Sequence, residues 1–412
     1  MSDDRYRRTA RRTGGDHRVR TDGAGTSDAS DGVDGPTGYR RGDGSIGVRD
    51  RVLVLPSVIC SHVVADRIAE RVDGAVSTPH DHGCAQLGAD ADQTERTLVN
   101  VARNPNVSGA VVVGLGCEEV QSGDVAAALE EFGVPVREVS IQDAGGTDEC
   151  LEQGVDAAES LLAGERSGGT AGADGAHSPA SADPTRVPID LGDLTLGVVS
   201  GDLADSTVET ADPLVGELAR EVVAAGGRVV AAGVERPVAH PEEARAAATD
   251  GARPAVDALL DRHADRPAKV TRVRREAADR SYAETTRAWG ELPVADVLSY
   301  GERATHDSGL ALVDSPSEFA TAATGLAAAG AHLVVHVTAD GVPAGHPVVP
   351  VLKVTGDPTT AGALPDDVDV DASRVDAAGL RRAVKRVIAG DFCCAERHGL
   401  TQFAIDRVGP SV

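Results

Sequence analysis

From Arg51 onward, short runs of valine and leucine alternate with longer stretches whose apolar residues recur every three or four positions. RVLVLPSVIC (51–60) predicts a buried strand, since an unbroken apolar run suits a sheet covered on both faces. HVVADRIAERVDG follows with the 3.6 period of a helix, closed by Gly74. GAVSTP predicts a second strand, and DQTERTLVNVARNP a helix with Asp92 as its N-cap and Pro105 just beyond its end. GAVVVGLG is a third strand, GDVAAALEEFG a helix, VPVREVSIQ a fourth strand and TDECLEQGVDAAESLLAG a helix. Alternation of this kind argues for a mostly parallel sheet with helices on both faces.

Residues 164–187, GERSGGTAGADGAHSPASADPTRV, break the pattern with small and polar residues and predict a linker. Alternation then resumes: strand LTLGVVS, helix DPLVGELAREVVAAGG, strand RVVAAG and helix HPEEARAAATDGARPAVDALLDRH. GLALVD, SEFATAATGLAAAG, AHLVVHV, VVPVLKV and the helix DAAGLRRAVKRVIAG continue it. The expected fold is α/β, with two α/β domains (37–163 and 188–412) built on mostly parallel sheets and joined by the Gly/Ser-rich linker at 164–187. Residues 1–36 are Gly, Asp, Ser, Thr and Arg without periodicity, which predicts a disordered N-terminal extension.

Charge narrows the surroundings. The 412 residues carry a formal charge of −25, spread along the chain, and lysine occurs only at Lys269, Lys353 and Lys385. Scattered carboxylates with so little lysine predict a halophilic, cytoplasmic protein kept soluble in concentrated salt. The same field repels nucleic acid and anionic membranes, so neither is an expected partner. No apolar run reaches the roughly 18 residues of a membrane span. Two arginine pairs near the N-terminus lack the apolar segment that a twin-arginine signal requires. Six cysteines in a cytoplasmic chain read as thiols or ligands rather than disulfides.

In an open parallel sheet, ligands bind beyond the carboxyl ends of the strands. The first half gathers its functional side chains there: Cys60, Ser61 and His62; then His80, Asp81, His82, Cys84 and Gln86; then Gly116, Cys117, Glu118 and Gln121; then Gln142, Gly145 and Gly146. Thiols and imidazoles suit iron(II) or zinc(II), whereas carboxylates suit harder ions. His82, Cys84, Cys117 and Cys60 are therefore candidate metal ligands. His80, His82 and Glu118 are candidate acids and bases, and Arg49, Gln86, Gln142, Gly145 and Gly146 candidate substrate contacts. A divalent metal at such a site would stabilise the enediolate formed when a proton α to a carboxylate is removed.

Plainer readings stand beside these. A cysteine in a valine-rich strand is also a small buried hydrophobe, which fits Cys60. The His80–Cys84 run also reads as a solvated turn, and Arg40, Arg41 and Arg49 as surface ion pairs. Cys150 and the pair Cys393–Cys394 read as structural. GLGCEE lacks the third glycine and distant acid of a dinucleotide fingerprint, so a nicotinamide oxidoreductase is not supported.

GYRRGDGSIGVRD (38–50), VLPSVICS (54–61), HDHGCAQLG (80–88), RNPNVSGAVVVGLGCEEVQ (103–121) and IQDAGGT (141–147) resemble the large domain of altronate and galactarate dehydratases, a family that includes sulfolactate sulfo-lyase large subunits. GLALVDSPS (309–317), VVPVLKVTG (348–356), VDVDASRVD (368–376) and AERHGLTQFAIDRVGPSV (395–412) are similar to the family's closing pattern. The resemblance implies a metal-assisted, iron(II)-dependent hydro-lyase that takes water from a sugar acid and leaves a 2-keto-3-deoxy acid. It also implies a homo-oligomer. Some members fuse a small SAF domain ahead of this region; residues 1–36 are too short for one, so a separate small SAF subunit is the expected partner.

The second half departs from the family pattern. A CGGSD segment is replaced by SGDLA, putting Ser200 where a cysteine is expected. Gly233 stands where the pattern has a glutamate, and Asp340 where it has an arginine. A hydroxyl is a poorer ligand than a thiolate, and Asp for Arg reverses the charge offered to a carboxylate. The alternative reading is thus a non-catalytic paralogue, a binding or scaffolding subunit with a partial site.

Overall fold

The computed structural model describes residues 35–84, 86–164, 186–264 and 272–408. The linker predicted at 164–187 falls for the most part outside the described residues, as does almost all of the N-terminal extension. Fourteen strands carry the described fold. A small antiparallel sheet consists of β1 (Thr37–Arg40), β2 (Ile46–Gly47) and β7 (Arg186–Pro188), in the order β2-β1-β7. Arg186 and Val187, expected at the end of the linker, instead pair with Tyr39 and Gly38 of β1.

The first parallel sheet holds β3 (Arg51–Pro56), β4 (Ala75–Ser77), β5 (Val107–Gly114) and β6 (Val136–Ser140), in the order β4-β3-β5-β6. Every pairing is parallel, with Leu53 opposite Val76 and Ala110. Successive strand side chains face opposite ways. Val52, Val54, Val111 and Val113 therefore pack on one face with Ile68, Leu151 and Ala158 of two helices, while Leu53, Leu55, Ala110 and Val112 join the larger core on the other. Two-sided burial is the reason for the unbroken apolar runs. The chain leaves β3 to one side for β4 and returns to the other for β5, which places the topological switch between β3 and β5.

The second parallel sheet has seven strands: β8 (Thr195–Ser200), β9 (Arg228–Ala231), β10 (Val294–Leu298), β11 (Gly309–Val313), β12 (Leu333–Val337), β13 (Val351–Thr355) and β14 (Val370–Asp371). Their order is β10-β11-β9-β8-β12-β13-β14, again with every pairing parallel. Its switch lies between β8 and β12. Both halves are thus α/β with parallel sheets, as the alternation predicts.

Side chains far apart in sequence fasten the two sheets together. Asn106, at the start of β5, accepts from the N–H groups of Val48 and Arg49 and donates to the carbonyls of His332 and Val348. His332 accepts from the Thr195 N–H and donates to the Ile46 carbonyl. Asn104 donates to Ala327 and Ala331.

Three elements differ from expectation. The helix expected to be capped by Asp92 begins earlier, at Ala89 after Gly88, and Asp90 and Asp92 sit in its first turn, where carboxylates oppose the positive end of the helix dipole. The long helix expected over 240–263 is two, Pro241–Ala247 and Arg253–Ala264, because Ala248 turns extended and bridges to Val294. Strand β10, within ELPVADVLSY, escapes the pattern because it is short and interrupted by Asp296. No helix among the described residues is long and apolar enough to cross a membrane.

Candidate functional site

At the carboxyl edge of the first sheet, three loops are pinned to one another by backbone contacts and one buried side-chain hydrogen bond. The Ile59 N–H donates to the His82 carbonyl at 2.9 Å, joining the loop after β3 to the loop after β4. Gly83, at φ +88°, lies so close that a Cβ there would sit 2.2 Å from the Ser57 carbonyl oxygen. The Ser57 hydroxyl donates to Glu118 at 2.8 Å, joining the loop after β3 to the loop after β5. The segments carrying Cys60, His82–Cys84 and Cys117–Glu118 therefore meet around the switch point, as strand order requires.

Within this cluster the side chains divide by what they are free to do. His80 is buried, accepts from the His82 N–H through Nδ1 and donates through Nε2 to the Pro56 carbonyl. Burial holds its pKa down to about 4, so it is neutral and both nitrogens are engaged. His82 is buried too; its Nδ1 accepts from Gln86 at 2.8 Å, while the Gln86 oxygen accepts from the Gly83 N–H. Its Nε2 lies 3.2 Å from a carboxylate oxygen of the exposed Asp81. Burial lowers the His82 pKa, and Asp81 works against that lowering. Gln86 is thus a positioning residue for the ring. Neither histidine belongs to the solvated turn that the sequence also allowed.

Glu118 is buried and accepts four hydrogen bonds, from Ser57, Leu115, Gly116 and Cys117. Burial raises its pKa, but these bonds outweigh burial and the net shift is downward. It is a carboxylate that shapes a loop, with its lone pairs committed. Gln142 is exposed and beside Gly116, where a Cβ would lie 2.9 Å from the Gln142 oxygen. Gly145 (φ +87°) and Gly146 (φ +145°) form the turn between the short helix Ile141–Ala144 and the long helix Thr147–Gly164.

Cys60, Cys84 and Cys117 are exposed thiols, so Cys60 is not the small buried hydrophobe that its strand also allowed. Cys150, Cys393 and Cys394 are buried. Among the described residues, no three His, Cys, Asp or Glu side chains surround a point where one metal ion would sit. The thiols carry the right chemistry for iron or zinc, but the arrangement does not fit a single ion.

Arg49 stands apart from the other candidates. It lies before β3, at the opposite, amino end of the strand, and all its N–H groups are engaged, with Glu396 and the carbonyls of Val48, Val387 and Asp391. It fastens the C-terminal segment to the first sheet. Arg41 pairs with Asp50 at 2.6 Å. A cavity of about 750 Å³, bordered by Arg41, Arg103 and Phe132, also lies at this amino end, away from the histidines and thiols.

The carboxyl edge of the second sheet carries polar residues that the sequence reading did not single out. Arg236 is buried and donates to Ser200 O, Thr285 O and Ser317 Oγ. Gly233 makes room for it, since a Cβ there would sit 2.4 Å from Nη1. Asp212 is buried, and burial raises its pKa to about 7 against the pull of Arg236 and of the Ser200 hydroxyl. His336 and Lys353, on β12 and β13, are buried with Nδ1 and Nζ unpartnered. They sit inside apolar strands, so periodicity reads their positions as core. Ser200 is buried at the end of β8, and Asp340 is exposed.

The C-terminal segment closes over the first edge. Phe403 lies between His80 and His346, at 6.2 and 5.6 Å between ring centres. Arg407 pairs with Asp81, and the Gln93 amide donates to the Asp406 carbonyl.

Comparison with known proteins gives the family. Residues 38–165 match the second domain of D-galactarate dehydratase/altronate hydrolase, and residues 283–411 match the C-terminal domain of D-galactarate/altronate dehydratase. The chain is 30% identical to the altronate dehydratase of Bacillus subtilis over 81% of its own length and 68% of the relative's. It is 28% identical to the (2R)-sulfolactate sulfo-lyase subunit beta of Chromohalobacter salexigens, over 86% of this chain and 89% of that one. Identity to the altronate dehydratase of Escherichia coli is also 28%, over 90% and 77% respectively. Two domain matches in chain order, with relatives aligned across most of the length, are the signature of common descent: the chain belongs to the D-galactarate/altronate dehydratase family.

Proposed function

We propose that this chain is a hydro-lyase that removes water from a sugar acid and leaves a 2-keto-3-deoxy acid, with the chemistry at the carboxyl edge of the first sheet. Family membership gives the reaction class. The observation that carries the site is His82: a buried imidazole oriented by Gln86 at Nδ1, with its other nitrogen beside the exposed carboxylate of Asp81 and the Ile405 carbonyl. His82 can take the proton α to the substrate carboxylate at Nδ1 once the Gln86 amide releases that nitrogen, with Asp81 beside Nε2 stabilising the imidazolium that forms. His80 and Glu118 hold the loops, and Gln142 and the open Gly145–Gly146 turn offer hydrogen bonds to hydroxyl groups.

Metal dependence belongs to the proposal through the donor chemistry of Cys60, Cys84 and Cys117, which favours iron(II). Since no three donors among the described residues surround one point, no step is assigned to the metal. Elemental analysis of protein purified without oxygen tests that part. A small partner subunit also belongs to the proposal, supported by the exposed Ile59, Val63 and Leu87 around the open edge and by a relative named as a beta subunit.

The experiment is a screen of aldonates, aldarates and sulfolactate for 2-keto acid release. Release is expected, with kcat lowered about 10²- to 10⁴-fold in His82→Gln. Inertness toward every acid, with or without added iron, would favour the second reading, a non-catalytic paralogue. The saturated Glu118 and His80 are what favour that reading.

A further inference from the structure

His336 and Lys353 are register partners on adjacent parallel strands, and Val199 of β8 is the partner of His336 on the other side. Register partners project to the same face, so the imidazole and the amine share one face of the sheet beside the β8/β12 switch. Both are almost completely buried, and neither His336 Nδ1 nor Lys353 Nζ has a hydrogen-bond partner among the described residues. Unpartnered buried donors are rare because each forfeits its hydration without replacement. Two together, with no acceptor between them and the Phe319 ring packed 4.6 Å from the imidazole centre, make a buried pair of donors that lacks an anion.

Neighbouring carboxylates do not fill that lack. Asp202 accepts from Ala204 N, Thr207 Oγ1 and Ala339 N. Asp369 accepts from the backbone N–H groups of Lys353 and Cys394. Asp340 is exposed. Gly201, half-buried at the end of β8, approaches the ring from the carboxyl edge: a Cβ there would lie 3.1 Å from His336 Nε2. Val342 and Pro343, exposed on the loop after β12, border the same edge.

We propose that Lys353 and His336 form the receptor for a carboxylate group of an organic acid, which enters at the carboxyl edge between Gly201 and the loop after β12. Burial together with the nearby Lys353 holds the His336 pKa down to about 4, so the ring serves as a neutral donor beside the amine. The choice of ligand rests on the sugar-acid reading above, but the site does not.

Calorimetric titration of the full chain with galactarate and gluconate, and with galactitol as the uncharged counterpart, tests this. Both acids are expected to bind and galactitol not to. Lys353→Met, which keeps the volume, is expected to weaken acid binding at least tenfold with the circular dichroism spectrum unchanged. His336→Gln supplies the same test if the lysine variant fails to fold. Affinities within threefold of wild type in the folded variants, or equal binding of galactitol, would overturn the assignment and leave a buried water as the partner of these groups. Acid binding that depends on Lys353 without any 2-keto acid release would sustain the receptor and remove the hydro-lyase. Release that ignores Lys353 would do the reverse.

Discussion

Gly83 shows how closely one residue constrains the candidate site. Its positive φ and the 2.2 Å approach to Ser57 leave no room for a methyl group. Gly83→Ala is expected to cost about 3 kcal/mol in urea denaturation and to lower any 2-keto acid release with it. Buried titratable groups set the pH response. His80, His332 and His336 are held to about 4 and His346 to about 3, in each case chiefly by burial. A histidine whose folded pKa lies below 6.5 binds its proton first in the unfolded chain. Stability is therefore complete above pH 6.5 and falls as pH drops through 6 toward 4. Asp212, raised to about 7, has the opposite sign: its contribution is complete below about pH 4 and is lost as pH rises from there through 7. Asp212→Asn should accordingly raise stability by an amount that grows as pH rises from about 4 to 7 and is greatest at pH 8. Urea midpoints across that range check both signs.

At the scale of elements, the fold depends on staples that periodicity does not register. Arg49 and Glu396 lie 347 positions apart and form a buried ion pair at 2.8 Å. Removing one partner strands the other charge in the interior. Glu396→Gln is expected to cost about 3 kcal/mol, read as a shifted denaturation midpoint with an unchanged slope. A Glu396→Gln protein as stable as wild type would contradict the staple. Strands and helices themselves were legible, because two-sided burial writes continuous apolar runs and one-sided packing writes the 3.6 period. Where a strand is short and interrupted, as at β10, or a helix breaks to make one bridge, as at Ala248, that writing is lost. The Asn104–Asn106 segment was legible as a motif but not as a fastener, since its partners lie more than 200 positions away in the other half.

Across the whole molecule, a charge of −25 works against compaction wherever counter-ions do not screen it. The melting temperature is therefore expected to rise between low salt and molar potassium chloride; a flat profile would remove the halophilic reading. Composition, the α/β alternation and the gathering of Cys60, His80, His82, Cys84 and Cys117 at strand ends were determined by the sequence, because each follows from local order along the chain. Only tertiary structure decided that Arg49 faces the wrong end of its strand, that Glu118 is spent on its own loop, and that Lys353 and His336 stand together without partners. Those facts depend on which distant groups fill the space around a side chain, and no local pattern of residues encodes that.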